Sequence, residues 1–116
     1  MLVFDLKSTP AHPYADRDKN VFYQAPEFKA RLIQLPPGGA MPLCEMASYV
    51  VFMVVAGEAE VQVGHEVATI REGHCLITEP ATLSMRTVEG VKMMGLQIVP
   101  SNLPDCPQIP SPAAAL

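Results

Sequence analysis

The side chains best suited to chemistry in this chain are its three histidines and three cysteines, and their spacing does not define a site. They are His12, His65, His74, Cys44, Cys75 and Cys106. No Cys-x-x-Cys pair occurs, and no histidine can be placed beside an activated serine. The sequence also lacks a nucleophile elbow, a P-loop and a dinucleotide-binding fingerprint. These patterns disfavour nucleophilic catalysis and nucleotide binding.

The composition predicts one small domain that does not bind nucleic acid. The chain has 116 residues, a net charge of -4 and no cluster of lysine or arginine, so it lacks the basic surface that nucleic acids require. Hydrophobic residues make up 49% of the chain and charged residues only 17%. Because so much apolar surface is hard to bury in one small domain, we expect a homodimer.

Cysteine usage and the N-terminal residues predict a cytoplasmic protein. Three cysteines without paired spacing are not a disulfide framework. The first residues, MLVFDLKS, have no basic region of the kind that begins a signal peptide. The apolar run from Tyr49 to Ala56 is far shorter than the ~20 residues of a membrane helix, so no membrane partner is expected.

Short strands separated by glycine or proline turns predict an all-β fold with little or no helix. Tyr49 to Ala56 is apolar on both faces, which predicts a strand buried from both sides and ended by Gly57. A short irregular strand precedes it, and Gly64 and His65 form a hairpin turn after it. The other predicted strands are Met1–Leu6 (an edge strand), Val21–Gln24, Phe28–Leu35, Glu58–Val63, Val67–Ile70, Cys75–Thr78, Thr82–Thr87 and Val91–Val99.

The chain divides into three segments on this basis. Residues 1–27 are an N-terminal strand and a polar loop that we expect to be solvated and that could contribute to a dimer. Residues 28–99 form a barrel. Residues 100–116 are a proline-rich tail, too rich in proline for a helix or a paired strand, which is expected to be loose or to lie across a neighbouring subunit.

Four sequence stretches carry a resemblance to a known family. They are PPGG (36–39), YVVFMVVAGEAEVQVG (49–64), TIREG (69–73) and LITEPA (76–81). On these stretches, residues 28–99 resemble the cupin superfamily, in particular its small single-domain RmlC-like barrels. The resemblance implies a double-stranded β-helix, that is, a jelly-roll β-barrel.

The same resemblance places the family's metal ligands on residues that are poor ligands. Aligned on Gly57 and Gly73, the four ligand positions fall on Leu43, Glu45, Val50 and Ser84. Leucine and valine have no lone pairs to donate, and one carboxylate with a neutral serine does not hold a transition metal. We therefore expect a degenerate metal site and no cofactor, with Cys44 as a small structural residue.

The barrel mouth is the predicted ligand pocket. Its candidate residues are Glu45, Ser84, Arg86, Met46, Phe52 and Gln97. By strand alternation Ser84 and Arg86 share the inward direction with the family's ligands. An inward Arg86 would bind an anion, or would pair with Glu45 if no ligand is present.

Three hypotheses about function follow. The first is a metal-free barrel that acts as a binding, sensor or accessory module for a small apolar or anionic molecule, and is more a binder than an enzyme. The second is a metal-dependent dioxygenase or isomerase with displaced metal ligands. This hypothesis requires that at least three of five residues converge in the barrel mouth, namely Cys44, Glu45, His74, Ser84 and Gln97. The third is a structural cupin whose interior is plugged by Phe52 and the methionines.

Overall fold

The computed structural model describes residues 1–98, which contain eight β-strands and one short 3-10 helix at Tyr14–Asn20. The strands are β1 (Val21–Gln24), β2 (Phe28–Leu35), β3 (Ala40–Met46), β4 (Tyr49–Val63), β5 (Glu66–Arg71), β6 (Cys75–Thr78), β7 (Ala81–Arg86) and β8 (Val91–Ile98). The all-β prediction is confirmed. The predicted tail and the end of the last strand at Val99 lie outside the described residues.

Two antiparallel sheets share the long strand β4. One sheet runs β1-β2-β8 to the first half of β4, with β6 on the other side of that half. The second sheet places β5 and β7 beside the second half of β4, and β3 beside β7. The two sheets therefore curl around one interior, because a single strand passes from one to the other.

Gly57 is the corner of β4 and does not end the strand, contrary to the prediction. Its φ is +81°, which L side chains rarely adopt, and a Cβ there would lie 2.2 Å from the carbonyl oxygen of Gly90. The ladder to β8 shifts register between Val54 and Ala56, just before this corner. Only glycine fits so close to the neighbouring backbone while the strand bends from one sheet into the next.

The core lies between the inner faces of the two sheets. Val54 and Met93 contribute from the first sheet, and Val61, Leu83 and Met85 from the second, all nearly inaccessible to solvent. Alternation along each strand places these apolar side chains inward. Their burial is the main stabilising contribution to the fold.

The outer face of β4 is exposed, which corrects the prediction of a strand buried on both sides. Val50, Phe52 and Val54 are buried, whereas Tyr49 and Met53 on the opposite face are 49% and 41% exposed. Ile77 of β6 lies beside Val51 and is 70% exposed. The apolar run is thus an ordinary alternating strand whose outer side chains are also apolar.

The N-terminal residues cross the outside of the barrel, and the predicted edge strand at Met1–Leu6 is wrong, because those residues form no strand. Lys92 of β8 anchors this segment, since its Nζ donates hydrogen bonds to the carbonyl oxygens of Lys7 and Thr9. Within residues 1–98, no helix is long and apolar enough to cross a membrane.

The polar loop before β1 is partly folded onto the barrel. Asn20, at the end of the 3-10 helix, is buried, and its side chain accepts from the backbone N–H of His12 at 2.7 Å and donates to the carbonyl oxygen of His12 at 3.0 Å. These two bonds close the segment 12–20 into a loop that lies against β2. We call residues 12–20 the N-terminal cap.

Candidate ligand pocket at the barrel mouth

A bulge in β3 decides which side chains face the interior at one wall of the mouth. Met41 pairs with Met85 and Cys44 pairs with Leu83, with a register shift between the two pairs. Met41 and Cys44 are both buried, although they lie on opposite faces of a regular strand. One extra residue therefore inverts the alternation, so that Cys44 points inward and Glu45 is exposed.

Strand β7 likewise turns its predicted site residues away from the interior. Leu83 and Met85 are buried in the core, so Ser84 and Arg86 lie on the other face. Arg86 forms an exposed ion pair with Glu60, with Nη2 2.8 Å from Oε1. The prediction that Ser84 and Arg86 look inward is wrong, and Arg86 pairs with Glu60, not with Glu45.

The pocket itself lies where β4 begins and β8 ends, beneath the N-terminal cap. Its cavity has a volume of about 40 Å³. Its described lining residues are His12, Tyr14, Arg17, Asn20, Arg31, Leu32, Ile33, Gln34, Met41, Met46, Val50, Phe52, Gly95, Leu96 and Gln97.

The floor of the pocket is apolar and is shaped by a glycine. Phe52 and Val50 point inward from β4, and Met41 and Met46 approach from β3. A Cβ on Gly95 of β8 would lie 3.3 Å from Cε1 of Phe52, closer than ordinary van der Waals contact. The missing side chain at position 95 thus leaves room for the Phe52 ring against β8.

Two arginines, Arg17 and Arg31, bring charge to the described lining of the pocket, and sequence reasoning missed both. Arg31 lies two residues before the core residue Ile33 on β2, so it shares the inward face, and it is only 7% exposed. Its Nη2 donates to Oε1 of Gln97 at a long 3.5 Å. In the sequence, the polar residues Lys29 and Arg31 alternate with apolar residues. This pattern is typical of a strand whose polar side chains face solvent, so it gave no sign that Arg31 points inward.

Arg17 comes from the N-terminal cap. Its Cζ lies 4.6 Å from the centre of the Tyr14 ring, within range of a cation–π interaction, and its Nη1 donates to the carbonyl oxygen of Tyr14. Tyr14 Oη lies 3.8 Å from Sγ of Cys44. The cap therefore places one guanidinium and one phenol at the mouth, beside the side chains of β3.

Three of the six sequence-predicted pocket residues meet in this pocket, namely Met46, Phe52 and Gln97. Glu45 and Arg86 are exposed, and Ser84 is half-buried on the outer face of β7. His74 is exposed in the turn after β5, where its Nδ1 accepts from the backbone N–H of Arg71. His65 is exposed in the hairpin turn, as predicted.

Solved structures share this architecture. A conserved protein with a double-stranded β-helix domain from Klebsiella pneumoniae superimposes with a TM-score of 0.73 at 17% identity, over 86% of this chain and 90% of that one. A cupin superfamily protein from Desulfitobacterium hafniense gives 0.64 at 12% identity, over 68% and 73% of the two chains. The chain has a cupin fold. No family sequence model and no curated protein sequence matches it.

A lyase is also among the similar structures. DMSP lyase DddQ from Ruegeria pomeroyi superimposes with a TM-score of 0.63 at 18% identity, over 69% of this chain and 42% of the lyase. At this identity the likeness concerns the fold.

The side chains at the family's metal positions do not fit a transition metal. Val50 is in the apolar floor, Glu45 is exposed, and neither Leu43 nor Ser84 lines the pocket. Among the residues described, no three His, Cys, Asp or Glu side chains come together as a metal site would require. Of the set that the metal-enzyme hypothesis needs, only Gln97 is in the pocket lining.

Proposed function

We propose that this chain is a binding module with a cupin fold, whose mouth pocket holds a small molecule with an apolar body and one anionic group. The observation that carries the proposal is the pairing of an apolar floor with the two guanidinium groups of Arg17 and Arg31. Both arginines are among the described lining residues. Such a lining favours an anion over a cation or a neutral molecule.

The polar groups are arranged to orient a ligand. Arg31 and Gln97 come from adjacent strands and lie next to each other in the pocket lining. A guanidinium binds a carboxylate through two parallel N–H groups, and the neighbouring carboxamide can donate to the same group. The apolar body of the ligand would then contact Phe52 and Met46. Few convergent polar groups on an apolar wall are typical of small-molecule sites.

The free space favours a small ligand. A cavity of about 40 Å³ admits only a few non-hydrogen atoms without movement of the walls. Met41 and Met46 have flexible unbranched side chains, which allow a wall to adapt to a short aliphatic chain. The same limited space favours, as the second candidate, a structural cupin whose interior is filled and binds nothing.

Calorimetric titration with hexanoate tests the proposal. Hexanoate combines a carboxylate with a short apolar chain, hexanamide lacks the charge, and acetate lacks the chain. We expect hexanoate to bind more tightly than either. Arg31→Gln should weaken hexanoate binding roughly 10- to 100-fold, because a charge-assisted hydrogen bond contributes about 1.5–3 kcal/mol.

Arg86→Gln is the matched control, since it removes the same charge from the exposed ion pair outside the pocket. It should leave hexanoate binding unchanged. Arg31→Lys keeps the charge but not the planar fork, so it should bind with intermediate affinity if it is folded. Absence of hexanoate binding to the wild-type chain would overturn the proposal in favour of the filled barrel, and equal losses in Arg31→Gln and Arg86→Gln would place the site elsewhere.

A further inference from the structure

We infer that residues 99–116 of the same chain occupy the mouth pocket and compete with its ligand. The inference rests on the proposed function, because it concerns the regulation of the same site. It starts from where this segment begins. Leu96 and Gln97 of β8 line the pocket, and Ile98, the last described residue, follows them directly.

Residues 99–116 are long enough to reach the pocket. Asp105 is the seventh residue after Ile98, and an extended proline-rich chain covers about 3.1 Å per residue, or roughly 20 Å in all. A chain of this length can reach from Ile98 to Arg31, whose guanidinium contacts the preceding residue, Gln97. The prolines restrict the unbound chain, so less conformational entropy is lost on binding. They are Pro100, Pro104, Pro107, Pro110 and Pro112.

The chemistry of the segment complements the pocket. Its charged side chains consist of the single carboxylate of Asp105, while the described lining carries the guanidinium groups of Arg17 and Arg31. Leu103 and Ile109 lie on either side of Asp105 in the sequence and match the apolar floor. The segment therefore presents the same combination, one anion and an apolar body, that we propose for the ligand.

A cut made in the folded full-length protein tests this inference. A protease site placed between Ile98 and Val99 is cleaved after purification, under reducing conditions because Cys106 lies in the segment. Methyl NMR signals of Met41 and Met46 report on the pocket, and the signal of Met53, on the outer face of β4, serves as the internal control. Removal of the cut segment should shift the two pocket signals and leave that of Met53 in place.

Two additions sharpen the result. A synthetic peptide of residues 99–116 should restore the original pocket signals, and a peptide of shuffled sequence should not. In the uncut chain, Asp105→Asn should shift the pocket signals toward those of the cut protein. If the segment fills the pocket nine-tenths of the time, its removal should lower the Kd for hexanoate about tenfold.

The outcomes separate the two proposals. Pocket signals that do not change on cutting would overturn the occupancy by the segment, whether or not hexanoate binds. Signals that change without any hexanoate binding would support the segment as occupant and reject the ligand proposed above. A shift that depends on protein concentration would mean that the segment enters the pocket of a second copy, and would reject the intramolecular form.

Discussion

Nη2 of Arg31 and Oε1 of Gln97 lie 3.5 Å apart across strands β2 and β8, in the lining of the mouth pocket. Strand alternation aims both side chains inward, although they are 66 residues apart in sequence. One of the two guanidinium groups of the pocket is therefore held by a residue far away in sequence. A negative charge introduced at position 97 would therefore form an ion pair with Arg31.

We predict that Gln97→Glu abolishes the preference of the pocket for anions. The new carboxylate would pair with Arg31 and repel a bound carboxylate, so the Kd for hexanoate should rise at least about tenfold, the effect of about 1.4 kcal/mol. Calorimetric titration measures this change. Gln62→Glu is the matched control, since Gln62 is exposed on β4 and its amide donates to the carbonyl oxygen of Gly64. Unchanged binding in Gln97→Glu would contradict the assignment of the anion to Arg31.

We predict that Gly57→Ala destabilises the whole barrel. A Cβ at this corner would overlap the carbonyl oxygen of Gly90 and force a positive φ on alanine. The free energy of unfolding should fall by about 3 kcal/mol or more, as for steric strain within a core. Urea unfolding followed by circular dichroism measures it.

Gly64→Ala isolates the backbone part of that effect. Gly64 also has a positive φ, +58°, but nothing lies within 4 Å of its would-be Cβ. Its substitution should cost only about 1–2 kcal/mol, the usual penalty for a left-handed L residue. Equal losses at positions 57 and 64 would show that the close approach to Gly90 does not contribute.

We propose that the exposed outer face of β4 and β6 binds a second copy of the chain, as the apolar composition suggested. Met53 and Ile77 are large apolar residues on this face, and a patch of this kind usually marks an interface. Met53→Lys should convert a dimer to a monomer in sedimentation equilibrium. Val88→Lys, at an exposed turn residue, is the control and should leave the dimer intact. A wild-type chain that sediments as a monomer at high concentration would refute the homodimer.

Local sequence signals determined most of the strands. The segments Val21–Gln24, Phe28–Leu35 and Cys75–Thr78 were predicted with the bounds that the structure shows. Glycine turns at Gly64 and Gly73, both with positive φ, divide the strands as expected. Strands and turns depend on residues close together in sequence, because strands show alternating polar and apolar residues and turns need glycine. A single sequence is therefore enough to predict them.

The direction of the side chains around the mouth was decided only by the tertiary structure. The bulge between Met41 and Cys44 exchanges the inward and outward positions of Cys44 and Glu45. Pro42 stands in it, but a proline also occurs on edge strands, so by itself it does not predict the change of register. On β7 the pairing with β3 and β4 turns Ser84 and Arg86 outward. A shift of one residue moves every following side chain of the strand to the other face of the sheet. Predictions that count alternate residues along a strand therefore fail where a bulge is not recognised.

The sequence by itself determined the all-β class, the turns and the family resemblance, because these depend on residue type and short-range spacing. The tertiary structure decided that Arg17, Arg31 and Gln97 lie around one pocket, because it folds the N-terminal cap over the place where β4 begins and β8 ends. Contacts between residues far apart in sequence follow from strand register and sheet closure, neither of which is encoded in any single stretch of the chain.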